Sequence, residues 1–278
     1  MCYIFSSHDY PQFNIYEKLV KFMSLSNIIK GLLNLQKKVD TKILPSQGLF
    51  YKDDFEIWVK KADVGDVIEY EYNYIKDDLG IVLTRLKRIV EKNTILSSGY
   101  TFSDIKSIDI VFLFLEIVKF TKNKPITLTY FNDEIGKVDK IDFNKDSFNY
   151  FKIDEKIMKF YNKKERSFNI DGYKYTLPSI GIENCLTNFL LSKQYDSDAL
   201  KYNDYKYEFM NFLGDKSNVT FNEIDNLIQI FNFDIEDSER EKVSKICKTF
   251  SYLHKYALRK GDRVIDINSK IDLEKIWK

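Results

Sequence analysis

The 278 residues, 44% hydrophobic and 31% charged, suffice for a large core without disulfide or metal staples and exclude disorder along most of the chain. Lys and Arg number 43 against 42 Asp and Glu, so global charge supplies no drive toward nucleic acid or an acidic membrane. Cys2, Cys185 and Cys247 are odd in number and widely spaced, which excludes a disulfide framework and fits a reducing compartment.

The N-terminal residues lack the basic stretch and apolar run of a secretory signal. The longest apolar run, Ile110–Leu115, falls far short of the ~20 residues of a membrane span. The expectation is a soluble protein kept inside a cell. Tyr, Phe, Lys, Asn, Ile and Asp are abundant, whereas Gly numbers 10 and Pro 4. That bias matches AT-rich coding, as in a small phage replicon.

Residues 1–22 show no periodicity and are a candidate N-terminal extension, with Met23 as an alternative start. From Met23, Leu25, Ile28, Ile29, Leu32 and Leu33 share a helical face. Pro45 and Gly48 break the pattern, and Phe55, Ile57 and Val59 then alternate with polar or amphipathic residues as a short strand does. Two helices follow. The second, near Asp78 to Lys92, turns Ile81, Leu86 and Ile89 inward and Arg85, Lys87, Arg88 and Lys92 outward.

Thr101 and Asp104 have capping-box spacing and predict the start of a strongly apolar helix reaching about Phe120. Pro125 ends it, and Ile126 to Phe131 reads as a strand with Ile126, Leu128 and Tyr130 on one face. Residues 132–151 are polar and read as a linker or loop between an N-terminal α/β part (23–131) and a C-terminal part (152–278). After a short helix near Asp154 to Asn162, Asp171-Gly172 between β-formers predicts a two-residue hairpin. The last third reads as helical. Ser179 caps a helix bearing Ile182, Leu186, Phe189 and Leu190, and Thr220 with Glu223 boxes another. A third helix is expected from Ser238 to Lys260, ending at Gly261, before a strand at Val264 to Ile267.

Candidate chemistry is sparse. Asp142, Asn144 and Asp146 open like a calcium loop, but Ser147 replaces the glycine and Ile153 the bidentate acid. Cys247 and His254 share the stripe of the last helix, yet seven residues at 1.5 Å rise separate them by about 10 Å. No GxG occurs. The expectation is therefore no catalytic residue, no metal and no cofactor. Arg85, Lys87 and Arg88, downstream of Tyr70, Tyr72 and Tyr74, form a candidate interaction surface.

Leu44-Pro-Ser-Gln-Gly-Leu-Phe-Tyr51 is the most specific segment. It is echoed by Leu177-Pro-Ser-Ile-Gly-Ile182, although unmatched flanks leave the pair short of a repeat. Leu44, Pro45, Ser46, Gly48 and Tyr51, ahead of a short strand and a helical body, resemble the signature of the baseplate hub assembly proteins of T-even-type contractile-tail (myovirus) bacteriophages. The likeness extends loosely over residues 40–190. It departs in the extra N-terminal residues, in an acidic pair reduced to Asp66 and Glu69, and in an unmatched last third.

The resemblance implies a non-enzymatic hub component or assembly chaperone, partnered by other baseplate hub proteins. Its expected place is the host cytoplasm or the virion tail baseplate, without membrane. The alternative is a nucleic-acid-associated replication or regulatory protein of the same replicon. The expected fold is α+β and predominantly helical, with short strands, a hairpin, a buried central helix and a helical C-terminal third.

Overall fold

Apolar residues all round a helix demand partners on every side, and this sets the architecture. The computed structural model describes residues 35–72, 79–144, 155–192, 219–229, 236–251, 257–260, 263–266 and 276–277. The helix predicted after Met23, Asp146 of the calcium-like loop and His254 lie outside them. Residues 38–278 form one unit.

Strand β1 (Gln36–Val39) leads through a 3-10 turn to the signature segment. Next come β2 (Ile57–Lys60), helix α1 (Val64–Tyr72), helix α2 (Leu79–Asn93) and β3 (Thr94–Leu96). The sheet order is β1-β2-β3, and β2 pairs β3 antiparallel with Trp58 opposite Ile95. Phe55, Ile57 and Val59 are buried, as the alternation requires.

Helix α3 (Ile110–Lys122) is the buried centre, with every residue from Ile110 to Val118 buried. Strand β2 and helix α2 pack on it. Asn123 closes it in the left-handed conformation, φ 50°, ahead of Pro125. The Thr101–Asp104 box exists but opens a 3-10 turn; Ile105 then runs extended, and α3 begins only after a second turn at Ser107–Asp109. The capping geometry was legible, but an extended connector separates it from α3.

Strand β4 (Thr127–Asn132) pairs antiparallel with β5 (Lys137–Asp142), Leu128 facing Ile141 and Phe131 facing Val138. Part of the stretch expected as a polar linker is therefore a strand. On the inner face of β5 only Ile141 is apolar, while Asp139 accepts a bond from the Tyr130 hydroxyl at 2.8 Å. A strand so polar gives little hydrophobic alternation to read.

A short helix α4 (Glu155–Met158) precedes the sheet of β6 (Tyr161–Asn162), β7 (Ser167–Ile170) and β8 (Tyr173–Tyr175). Asp171 and Gly172 adopt φ 52° and 82°, the positive pair of the predicted hairpin turn. Helix α5 (Ile180–Ser192) starts at Ser179, whose Oγ accepts the Ile182 N–H at 3.3 Å. Helix α6 (Phe221–Gln229) carries the Thr220–Glu223 box, with Thr220 N–H on the Glu223 carboxylate at 2.8 Å. Helix α7 (Asp237–Ser251) is shorter than expected, because Ala257–Lys260 is strand β9 and pairs antiparallel with β10 (Arg263–Asp266). Gly261, expected to end that helix, lies outside the described residues.

The expectation of a predominantly helical protein is corrected. Among the described residues helix takes 46% and strand 22%, in small antiparallel sheets. Strand β9 replaces the end of the last expected helix, while β10 is the final strand expected from Val264.

Candidate functional site

The segment Leu44–Tyr51 folds into consecutive tight turns because two residues take positive φ, Gln47 at 57° and Gly48 at 69°. A side chain at Gly48 would also place its Cβ 3.1 Å from Thr41 Oγ1. The turns deliver Leu44, Ser46, Phe50 and Tyr51 inward, all buried. Ser46 and Tyr51 meet Asp109, which is fully buried.

Asp109 occupies the residue before α3 but makes no cap bond to that helix. Its Oδ1 accepts the Ser46 N–H at 2.8 Å, and its Oδ2 accepts the Tyr51 hydroxyl at 2.7 Å. The Tyr51 oxygen in turn accepts the Lys106 N–H at 2.9 Å. Burial pushes the Asp109 carboxyl up to about 6, with the bonds from Tyr51 and Ser46 opposing the rise. Burial and then the Asp109 charge hold the Tyr51 hydroxyl well above its ordinary value. Tyr51 therefore stays protonated and donates. Residues 46, 51, 106 and 109 form a lock between the signature and the start of α3.

The echo segment reaches the same connector from the other side. Ser107 N–H donates to Pro178 O at 3.0 Å, and Ile180 N–H donates to Ile105 O at 2.9 Å. These three segments lie along the seam of two hydrophobic cores. Leu44, Tyr51, Ile105 and Ile180 belong to the core around α3. Phe50, Ile108, Leu177 and Ile182 belong to the core under the β7–β8 hairpin. Each segment thus contributes to both cores.

Beside the lock lies a cleft of about 260 Å³, walled by Phe50, Tyr51, Phe55 and Tyr100. Lys52, Lys106, Lys164, Arg166 and Lys174 line it, against the carboxylates of Asp104 and Glu165. Asp104 accepts the Thr101 N–H at 2.7 Å, and Arg166 pairs with Asp53. Ser179 also lines the cleft, but its Oγ serves the α5 cap.

The structure divides the candidate surface Arg85, Lys87 and Arg88. Lys87 Nζ pairs with Glu183 of α5 at 2.7 Å, half-buried. Arg85 is half-buried, while Arg88 is exposed; both turn toward Asp66 and Tyr70 of α1. Of the outward set, Lys92 is exposed and reaches Asp66 at 2.6 Å. The three cations therefore do not form one open strip.

Asp142, first of the calcium-like residues, accepts the Thr127 hydroxyl at 2.7 Å. Among the described residues no group of His, Cys, Asp and Glu is placed to hold a metal. None of their helices is long and apolar enough to cross a membrane. Sequence reasoning did not single out Asp109 or Lys106 as functional. Their only local signal is a charge beside an apolar run, and their partners lie about a domain-half away in sequence. No family model, curated protein or solved structure matches the chain.

Proposed function

We propose that the chain is a non-enzymatic assembly or structural protein of a contractile-tail phage baseplate hub, acting through protein–protein contacts as a hub component or assembly chaperone. It works in the host cytoplasm or is carried into the tail baseplate. The signature at Leu44–Tyr51 supports the family. The observation that carries a contact role is the β4–β5 hairpin. Its inner face enters the core, while Phe131 (48% exposed) and its cross-strand neighbour Val138 (68% exposed) face outward together. Ile135, at the tip, is also exposed. Asp133, Glu134, Lys137 and Lys140 rim this apolar group, the pattern of a partner-binding patch.

Co-expression with a complete set of baseplate hub proteins tests the proposal. A stable complex that Phe131→Glu and Val138→Lys weaken is the expected result. No complex with the complete set contradicts it. A second reading, contact with nucleic acid, draws on the cleft where Lys52 and Lys164 stand beside aromatic walls. It predicts a salt-sensitive mobility shift that Lys52→Glu and Lys164→Glu reduce.

A further inference from the structure

The hydrogen bonds around Asp109 suit one protonation state and not the other. Asp109 is 0% exposed, and each of its carboxylate oxygens faces a neutral donor. Oδ1 accepts the Ser46 N–H and Oδ2 accepts the Tyr51 hydroxyl. A neutral acid donates from one of its oxygens, so protonation cannot leave both bonds as they stand. The Ser46 N–H cannot accept, whereas the Tyr51 oxygen can. An added proton therefore belongs on Oδ2, where it reverses the bond: Asp109 donates and Tyr51 accepts.

The reversal travels one bond further. Tyr51 Oη already accepts the Lys106 N–H at 2.9 Å. With Asp109 as a second donor, both lone pairs of that oxygen are used, and its own proton must turn to another acceptor. Acceptors stand in the adjacent cleft, which Asp104 and Glu165 line together with Tyr51.

The surroundings place this event within reach. From the connector, the Lys106 charge favours the carboxylate, and the Asp104 charge acts on Tyr51. In the signature turn, Leu44–Tyr51, the titratable side chain is Tyr51 itself. The echo segment, Thr176 to Ile182, carries none. Beyond it, Glu183 of α5 is engaged by Lys87. Along α3 the next charged residue is Glu116, about 10 Å on at 1.5 Å per residue. Burial therefore outweighs the groups that favour the carboxylate.

We propose that Asp109 is a proton-operated switch: uptake of one proton reverses its bond to Tyr51 and passes the change to the Lys106 backbone, at the seam of the two cores. The switch is independent of the assembly reading.

Amide NMR of the full chain from about pH 4 to pH 8, read at Ser46 and Lys106, tests it. In the wild type both resonances should follow one titration with its midpoint near the Asp109 value of about 6. In Asp109→Asn both should stay flat. Tyr51→Phe should move the Ser46 midpoint upward, because a bond favouring the carboxylate is lost. It should also abolish the Lys106 response, because the relaying oxygen is gone. If neither variant folds, the carbon-13 resonance of the Asp109 carboxyl in the wild type decides, since it must share the midpoint of the two amides. Flat Ser46 and Lys106 resonances in the wild type overturn the proposal. So does a Lys106 response that persists in Tyr51→Phe, or one that persists in Asp109→Asn.

Discussion

The two Leu-Pro-Ser segments share three residues and a destination but not a mechanism. After Leu44-Pro-Ser46 the chain turns through Gln47 and Gly48 at positive φ, and the Ser46 N–H is spent on a carboxylate. At Leu177-Pro-Ser179 the chain runs as a strand bridge to the 105–107 connector, and Ser179 Oγ then caps α5. The first attachment depends on one buried side chain, Asp109. The second is spread over backbone bonds, which side-chain substitution leaves in place. The first should therefore break at single residues and the second should not.

Asp109→Ala is expected to have the largest effect. It strands the Ser46 N–H and the Tyr51 hydroxyl in a dry interior, at a cost of about 2–4 kcal/mol in a denaturant titration. The same residue should shape the pH dependence. Its folded-state pKa of about 6 exceeds the ordinary 3.8, so the folded chain binds that proton more tightly. Its contribution is complete below pH ~3.8 and is lost as pH rises through about 6. Asp109→Asn should flatten the stability profile across that window.

Gly48→Ala comes next, at about 1–2 kcal/mol, because it combines positive φ with a close approach to Thr41. Its expected signature is a lowered thermal midpoint. The smallest effect is expected on the echo side. Ser179→Ala removes a 3.3 Å cap bond and should cost about 0.5–1 kcal/mol by denaturant titration. A Ser179→Ala loss equal to that of Asp109→Ala would erase the contrast between the two segments.

What could be read from the residues was local. Phe55, Ile57 and Val59 gave their strand by alternation, and Ile126, Leu128 and Tyr130 did the same. Asp171-Gly172 gave its hairpin by turn chemistry, and Ser179 and Thr220 gave helix starts by capping. What could not be read was non-local or disguised. β5 pairs through a face whose middle residue is Asp139, so its polarity resembles a loop. The helix expected to reach Lys260 does not, because Ala257–Lys260 pairs as a strand with Arg263–Asp266. The lock was hidden most deeply, since no periodicity links Ser46 and Tyr51 to Asp109. Likewise, the stripe of Arg85, Lys87 and Arg88 looked uniform in sequence. The packing of α5 drew Lys87 to Glu183 and left Arg85 with a cavity.

The signature segment serves as an internal lock through Asp109. A double-mutant cycle of Tyr51→Phe and Asp109→Asn, followed by equilibrium denaturation near pH 7, tests it most directly. A coupling of about 1 kcal/mol or more is expected between these two residues, 58 apart in sequence. Strictly additive losses would contradict it.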